Sequence, residues 1–208
     1  MQTTSRRADA QRNSVRLVRA AIAAFEEVGA AVSLEEVARR AGVGIATLYR
    51  LFGGRDGLVR EAFATFFVEE VEPLAQAARA AEDPGEGLAT ALVGTVDALT
   101  AHRVLIEVAK ETGAVTVAVA ERYLLQLGDV LAAAQRTGRV RGDLVVRDLA
   151  AIVVMALATV HADDRSNADP RRYLALLMAG LRPADEQLPA PAATGFTTKP
   201  GPSGCAGT

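Results

Sequence analysis

Several residues within or just beyond one short stretch, Gly42 to Phe52 (GVGIATLYRLF), have types suited to reading a polyanion. Ile45 and Ala46 suit thymine methyls, and Thr47 and Arg50 suit base edges or phosphates. Arginine on guanine is the commonest specific pairing in the major groove of DNA. The Tyr49 hydroxyl suits a phosphate. Arg55, at the start of the next helix, adds a cation where a helix N-terminus already favours anions. A second group, Arg12, Arg16 and Arg19, falls at i, i+4, i+7 on one helix face, with Arg6 and Arg7 upstream. It reads either as a solvated face or, beside a reading helix, as backbone-positioning cations.

The types needed for bond-breaking chemistry are sparse. The histidines are His102 and His161, and the one cysteine is Cys205. His161 with Asp163 and Asp164 lacks the fixed ligand spacing of zinc sites. No glycine-rich phosphate fingerprint and no nucleophile elbow occurs. The sequence therefore predicts no enzyme, no cofactor and no metal site.

The recognition residues need elements to hold them. Val15, Val18, Ile22 and Phe25 keep helical spacing, and Gly29 stops that helix. Ser33 with Glu36 forms an S-x-x-E capping box at the start of the next. Leu34, Val37, Ala38 and Ala41 line its inner face. Glu35–Arg39 and Glu36–Arg40 are i,i+4 pairs on its outer face. Gly42-Val-Gly44 breaks it, and Ile45 to Phe52 forms a second short helix with Leu48 and Phe52 inward. Ile45, Ala46, Tyr49 and Arg50 then face out, with Thr47 at the edge. Two short helices joined by a glycine-containing turn make a helix-turn-helix candidate.

Charge follows the same division. Residues 1–65 carry ten arginines against seven acids, and residues 66–208 carry thirteen Lys/Arg against eighteen acids. A basic head on an acidic body predicts that the head alone meets a polyanion. The most apolar run, near 149–160, is shorter than the roughly 20 residues that span a bilayer. With no signal-peptide pattern, the chain reads as soluble and cytoplasmic, with no membrane partner.

The run from Arg12 to Phe67 resembles the N-terminal domain of TetR-family transcriptional regulators. The resemblance rests on Ala21, Phe25 and Gly29, then SLEEVARRAGV, TLYRLF and RDGLV in order. It implies that Ser33, Thr47, Tyr49 and Arg55 hold phosphates, and that Ile45, Ala46 and Arg50 face bases. Gly44 stands where the family commonly has a Ser or Thr cap, and Ile45 where many members are polar. That apolar substitution points to readout weighted to methyls and shape.

The remaining sequence predicts a helix from Arg55 to about Ala81, kinked at Pro73, and helices near 87–101, 103–112, 115–136, 146–160 and 170–181. GAVTVAVA at 113–120 also suits a strand, and is read as helix. The fold class is all-α, with about nine helices. The divisions are an arm and helix-turn-helix domain at 1–54, an effector-binding and dimerisation domain at 55–182, and a disordered tail at 183–208. Phe63, Phe66 and Phe67, with His102, Arg103, Glu107, Tyr123 and Gln126, are the candidate ligand pocket. Ile152, Val153, Met155, Leu157 and Val160 pair with Tyr173, Leu174, Leu177, Met178 and Leu181 as the candidate dimer interface. The implied function is a homodimeric repressor on a palindromic operator, released by a small-molecule effector. An activator or regulator without a small-molecule ligand, and a helical small-molecule binding protein with a vestigial helix-turn-helix, are the alternatives.

Overall fold

In the computed structural model, residues 2–159 and 170–191 are described. Helix α1 (Gln2–Val28) starts well before the apolar pattern does. Its first ten residues contain no Pro or Gly, and the Arg12 guanidinium pairs with Asp9 one turn back. The expected arm is therefore mostly helix. The inward stripe is Leu17, Val18, Ala21, Ala24 and Phe25, all buried, while Val15 is 50% exposed. The stripe is rotated from the expected phase because α1 packs against both α2 and the helix that follows the helix-turn-helix.

Helix α2 (Leu34–Ala41) is capped by Ser33, whose Oγ accepts the Glu36 N–H at 3.2 Å. Only half of the expected capping box forms. The Glu36 carboxylate accepts from Arg39 at 2.7 and 2.8 Å and from Arg40 at 2.7 Å. Arg39 thus pairs with Glu36 rather than Glu35. Gly42 ends α2 in the left-handed region, φ 61°. The Val43 N–H reaches Ala38 O and the Gly42 N–H reaches Arg39 O, closing a Schellman motif that favours glycine at this position.

Helix α3 (Ile45–Phe52) seats Leu48 at 0% exposure. A rod then leaves the head in three segments: α4 (Arg55–Phe66), a π-helical turn (Phe67–Val71) and α5 (Glu72–Arg79). Pro73 has no N–H to donate, and its ring would crowd the carbonyl four residues back. The wider π turn relieves this, with the Glu72 N–H donating to Phe67 O five residues earlier. The sequence expects a kink; the structure resolves it as this turn.

The body follows as α6 (Pro84–Ala101), α7 (Arg103–Glu111), α8 (Val117–Arg136), α9 (Val146–Ala158) and α10 (Pro170–Ala179). Asp83 caps α6 by accepting the Gly85 N–H at 2.8 Å and the Glu86 N–H at 3.3 Å. A Cβ on Gly87 would stand 2.8 Å from Ala78 O, so this glycine lets α6 lie directly on α5. Helix α7 bends 78° from α6. With the three-part rod taken as one, the described residues form nine helices and no strand. The ambiguous 113–120 segment divides, with 113–116 a turn and extended linker and the rest the first turn of α8. Among the described residues no single helix is long and apolar enough to cross a membrane.

Residues 183–191, expected as disordered tail, are non-helical but tied down. Arg141 donates to both Asp143 oxygens at 2.6 and 2.8 Å and to Glu186 O at 2.6 Å. The Leu188 N–H donates to Asp143 Oδ2 at 2.7 Å. Arg141 foremost, then that N–H, holds the Asp143 carboxyl well below the usual carboxylate range. Val160, His161, Asp163, Asp164 and Cys205 lie outside the described residues.

Candidate nucleic-acid interface

The outer face of α3 is set by what its inner face must do. Helix α3 packs against α1, α2 and α4 with Leu48 fully buried, and Ile45, Leu51 and Phe52 pack partly buried against the same core. With Leu48 as pivot, Ile45 stands one turn before and Leu51 and Phe52 one turn after. The opposite face is Ala46, Tyr49 and Arg50, all exposed, with Thr47 half-buried at its edge. Ile45 is therefore not the freely outward side chain the spacing implies. It is shared between core and surface, since Ile45 joins Leu51 and Phe52 in packing partly buried around Leu48.

Gly44 starts α3 without a side-chain cap. Its carbonyl accepts the Thr47 N–H at 2.8 Å, while no side chain of its own covers the first-turn amides. Such amides, with the helix dipole, suit an anion. At the other end Gly53 adopts φ 74° and Gly54 φ 134°. Gly57 is the tightest point: a Cβ there would fall 1.8 Å from Phe52 O. Helix α4 can start this close to the end of α3 only with glycine at 57. Gly57 lies in the RDGLV run, and its signal in the sequence is a glycine one turn inside a helix, where it otherwise costs stability.

Arg55 has a structural task. Its Nη1 donates to Val32 O at 2.7 Å, its Nη2 donates to Ala30 O, and its guanidinium lies over the Phe25 ring at 5.3 Å. It fastens the α1–α2 connection to the start of α4. Ser33, likewise, spends its hydroxyl oxygen on the α2 cap. Among the expected flanking cations, the Arg16 guanidinium lies against Gly42 at the helix-turn-helix bend, 2.7 Å from where a Cβ would stand. Arg12 is exposed and paired with Asp9. Arg19 turns to the body, meeting Glu69 at 2.7 Å. On α2, Arg40 bridges Glu36 and, at 2.5 Å, Glu27 of α1. Hydrogen bonds from Arg39 first and Arg40 second lower the Glu36 carboxyl to about 2.

The eight residues expected to line a pocket do not share one environment. Phe63, Phe66 and Phe67 are buried, and the Phe63 ring meets Phe66 at 6.4 Å and Phe67 at 6.0 Å. Phe67 meets Tyr123 edge-on at 5.9 Å. The Tyr123 hydroxyl bonds to that of Thr95, which donates to Ala91 O at 2.7 Å. Burial pushes the Tyr123 phenol up to about 12, against a smaller opposing effect of Thr95. The Gln126 Oε1 is buried with no partner. Arg103 is half-buried and Glu107 is exposed. His102 lies against Phe66, ring centroids 4.5 Å apart, at the joint between head and body. A cavity of about 1070 Å³ lies elsewhere, between α6, α10 and residues 138–140. None of the eight lines it. Aromatic side chains fill the one region, and small ones (Ala89, Ala175, Ala179) leave the other open.

The candidate dimer residues also divide. Ile152, Val153, Leu174 and Leu181 are buried within the chain, and Leu157, Leu177 and Met178 partly so. Met155 and Tyr173 are exposed at 47% and 40%, and two residues absent from the expected set, Val154 and Leu176, at 64% and 62%. With Ala151 and Ala158 they form an uncovered apolar stripe at helical spacing on α9 and α10. Residues 149–160 are the most apolar run of the sequence, but only packing shows which half of α9 the chain covers itself.

Comparison with known proteins places this geometry. Residues 17–62 match the family described as bacterial regulatory proteins, tetR family. Residues 59–183 match the C-terminal domain of SbtR-like transcriptional regulators. A TetR transcription regulatory protein from Mycobacterium vanbaalenii is 33% identical, covering 85% of this chain and 98% of that one, with a TM-score of 0.59. A TetR transcriptional regulator from Streptomyces coelicolor is 28% identical over 82% and 98% of the two chains, with a TM-score of 0.55. FadR from Bacillus subtilis, solved with stearoyl-CoA, shares the fold at 17% identity, over 81% and 99%, with a TM-score of 0.63. No curated protein matched the chain.

Proposed function

The chain belongs to the TetR family and is a DNA-binding transcriptional regulator, and we propose that it acts as a cytoplasmic homodimeric repressor released from a palindromic operator by a small-molecule effector. The observation that carries this reading is the outer face of α3. It exposes Ala46, Tyr49 and Arg50 while Leu48 is wholly buried, so a groove-facing surface is held on a fixed seat. In this reading Arg50 and Ala46 read base edges, and Ile45 contributes the rim of its side chain to methyls. Tyr49, Thr47 and the uncapped start of α3 at Gly44 hold phosphate, and Arg12 and Arg16 add backbone contacts. Ser33 and Arg55 act by bracing α2 and the α1–α2 connection.

The uncovered stripe of Val154, Met155, Tyr173 and Leu176 supports a two-fold partner on α9 and α10, since contiguous exposed apolar surface marks an interaction site. A dimer presents two reading helices, and half-sites follow at about one helical turn or a multiple of it. A neighbour of the same fold was solved in complex with stearoyl-CoA, which supports a small-molecule effector for this chain. Release then requires that the effector bind the two arrangements of the dimer with different affinity.

Selection of sites from random duplex DNA by the purified protein tests the reading. The expected result is a palindromic consensus with steep salt dependence. Neutralising six to ten phosphates implies losing roughly 10³–10⁵ in affinity between 50 and 200 mM salt. Failure to enrich any site would overturn it.

A further inference from the structure

His102 sits where α6 and α7 meet α1, Phe66 of α4 and the π turn. It occupies the 78° bend between α6 and α7, its N–H donating to Ala98 O at 3.1 Å and its carbonyl accepting the Ile106 N–H at 3.0 Å. Its ring lies tilted against Phe66 of the aromatic cluster, centroids 4.5 Å apart. Its Nε2 is 3.1 Å from Glu70 Oε2 in the π turn. Its Nδ1 faces Glu26 Oε1 of α1 at 3.4 Å. That approach lacks the alignment of a hydrogen bond, so Nδ1 is buried without a partner, as is the nearby Thr100 Oγ1. The π turn serves this contact twice, since Glu69 beside Glu70 takes Arg19 of α1 at 2.7 Å.

We infer that His102 is the positioning residue through which the packing state of the helical core reaches the DNA-reading head, an inference that rests on the reading of that head given above. A buried polar atom just short of its acceptor gains a bond in one arrangement and lacks it in another. Closing the α6–α7 bend carries Nδ1 onto Glu26 and draws α1 to the body; opening it releases α1. Phe66 sets which arrangement the ring adopts, because any change in the aromatic cluster moves the surface on which the imidazole lies. Coupling through one residue makes a definite claim about additivity: perturbations on its two sides depend on each other only while it is present.

The experiment is a set of cycles in the full-length protein, using Phe66→Leu on the core side and Glu26→Gln on the head side, each with and without His102→Gln. Two quantities are read: affinity for a duplex carrying the selected palindrome, and amide exchange of α1 to α3 in the free protein. Alone, Phe66→Leu and Glu26→Gln each shift operator affinity by about fivefold or more, within the usual range of coupling between sites, and alter exchange in α1. With His102→Gln in place both effects vanish to within about twofold. Effects that persist unchanged beside His102→Gln, in affinity and in exchange, overturn the inference. Should His102→Gln fail to fold, Glu70→Gln removes the ring's anchor and predicts the same loss of coupling; retained coupling in that variant is equally fatal. The exchange readout needs no DNA. Absence of operator binding by the wild type therefore sinks the repressor reading, while exchange still decides His102.

Discussion

The head and the body of this chain were built by the same helical rules, yet they carry function in different ways. In the head, function is a surface, and each surface residue is fixed by a buried neighbour on the same short helix: Leu48 turned in leaves Tyr49 and Arg50 turned out. In the body, function is a space, and space depends on the side-chain volumes of helices far apart in sequence. Phe63, Phe66 and Phe67 pack into core, whereas the large cavity opens beside Ala89, Ala175 and Ala179. A surface follows from local periodicity. A space is a tertiary quantity.

The sharpest way to break the head alone is Gly57→Ala. The new Cβ would meet Phe52 O at 1.8 Å, so α3 and α4 must separate. Forced overpacking of this kind costs up to ~3 kcal/mol, enough to melt a small domain while the body survives on its own core. Amide exchange should rise in α2, α3 and the start of α4, with α6 and α8 protected and operator binding abolished. Wild-type protection in α3 would show that the α3–α4 approach has slack the geometry denies.

That contrast also explains what the sequence made legible. Helix order, the helix-turn-helix and the outward Tyr49 and Arg50 follow from spacing and from Gly42, Gly53 and Ser33, all local signals. The family resemblance at Arg12 to Phe67 is legible for the same reason, because its motifs lie in short ordered runs. What escaped was long-range. Arg55 is bound by carbonyls some 25 residues earlier, at Ala30 and Val32. His102 is placed by Glu26 and Glu70, from two other helical segments. The Arg141–Asp143 pair ties down Glu186 and Leu188, which composition alone presents as tail. Each joins residues that no window of sequence contains.

A smaller effect confined to the head is expected from Arg50→Ala. Its guanidinium is exposed on α3, and loss of one bidentate base contact costs about 1–3 kcal/mol of discrimination. Specific affinity should fall about 5-fold or more with non-specific affinity nearly unchanged. Equal loss on both would reassign Arg50 to phosphate. In the body, Tyr123→Phe removes a buried hydroxyl bonded to Thr95, at a cost of about 1 kcal/mol. Thermal unfolding should shift down by a few degrees, with operator affinity of the folded protein unaltered. A parallel fall in operator affinity would mean that head and body are coupled through Tyr123 as well.

Acid should separate the two regions most finely. The Glu36 carboxyl, lowered from 4.5 to about 2 by Arg39 and Arg40, contributes to head stability in full above its ordinary value. That contribution is lost as pH falls from about 4.5 toward 2, because the unfolded state then binds a proton the folded state resists. Both partners reach solvent, so the effect is small and screened by salt. In the body, Asp143 is depressed in the same direction by Arg141, and protonating it frees the segment around Glu186 and Leu188 rather than a helix. As pH falls from about 4.5 toward 2, amide protection relative to the intrinsic exchange rate should therefore drop first in α2 and in residues 181–188, with α6 to α8 lagging. Glu36→Gln should flatten the acid response of α2 alone, and Asp143→Asn that of the tail segment alone. An acid response in α2 that survives Glu36→Gln would show that the Glu36 carboxylate is not its origin.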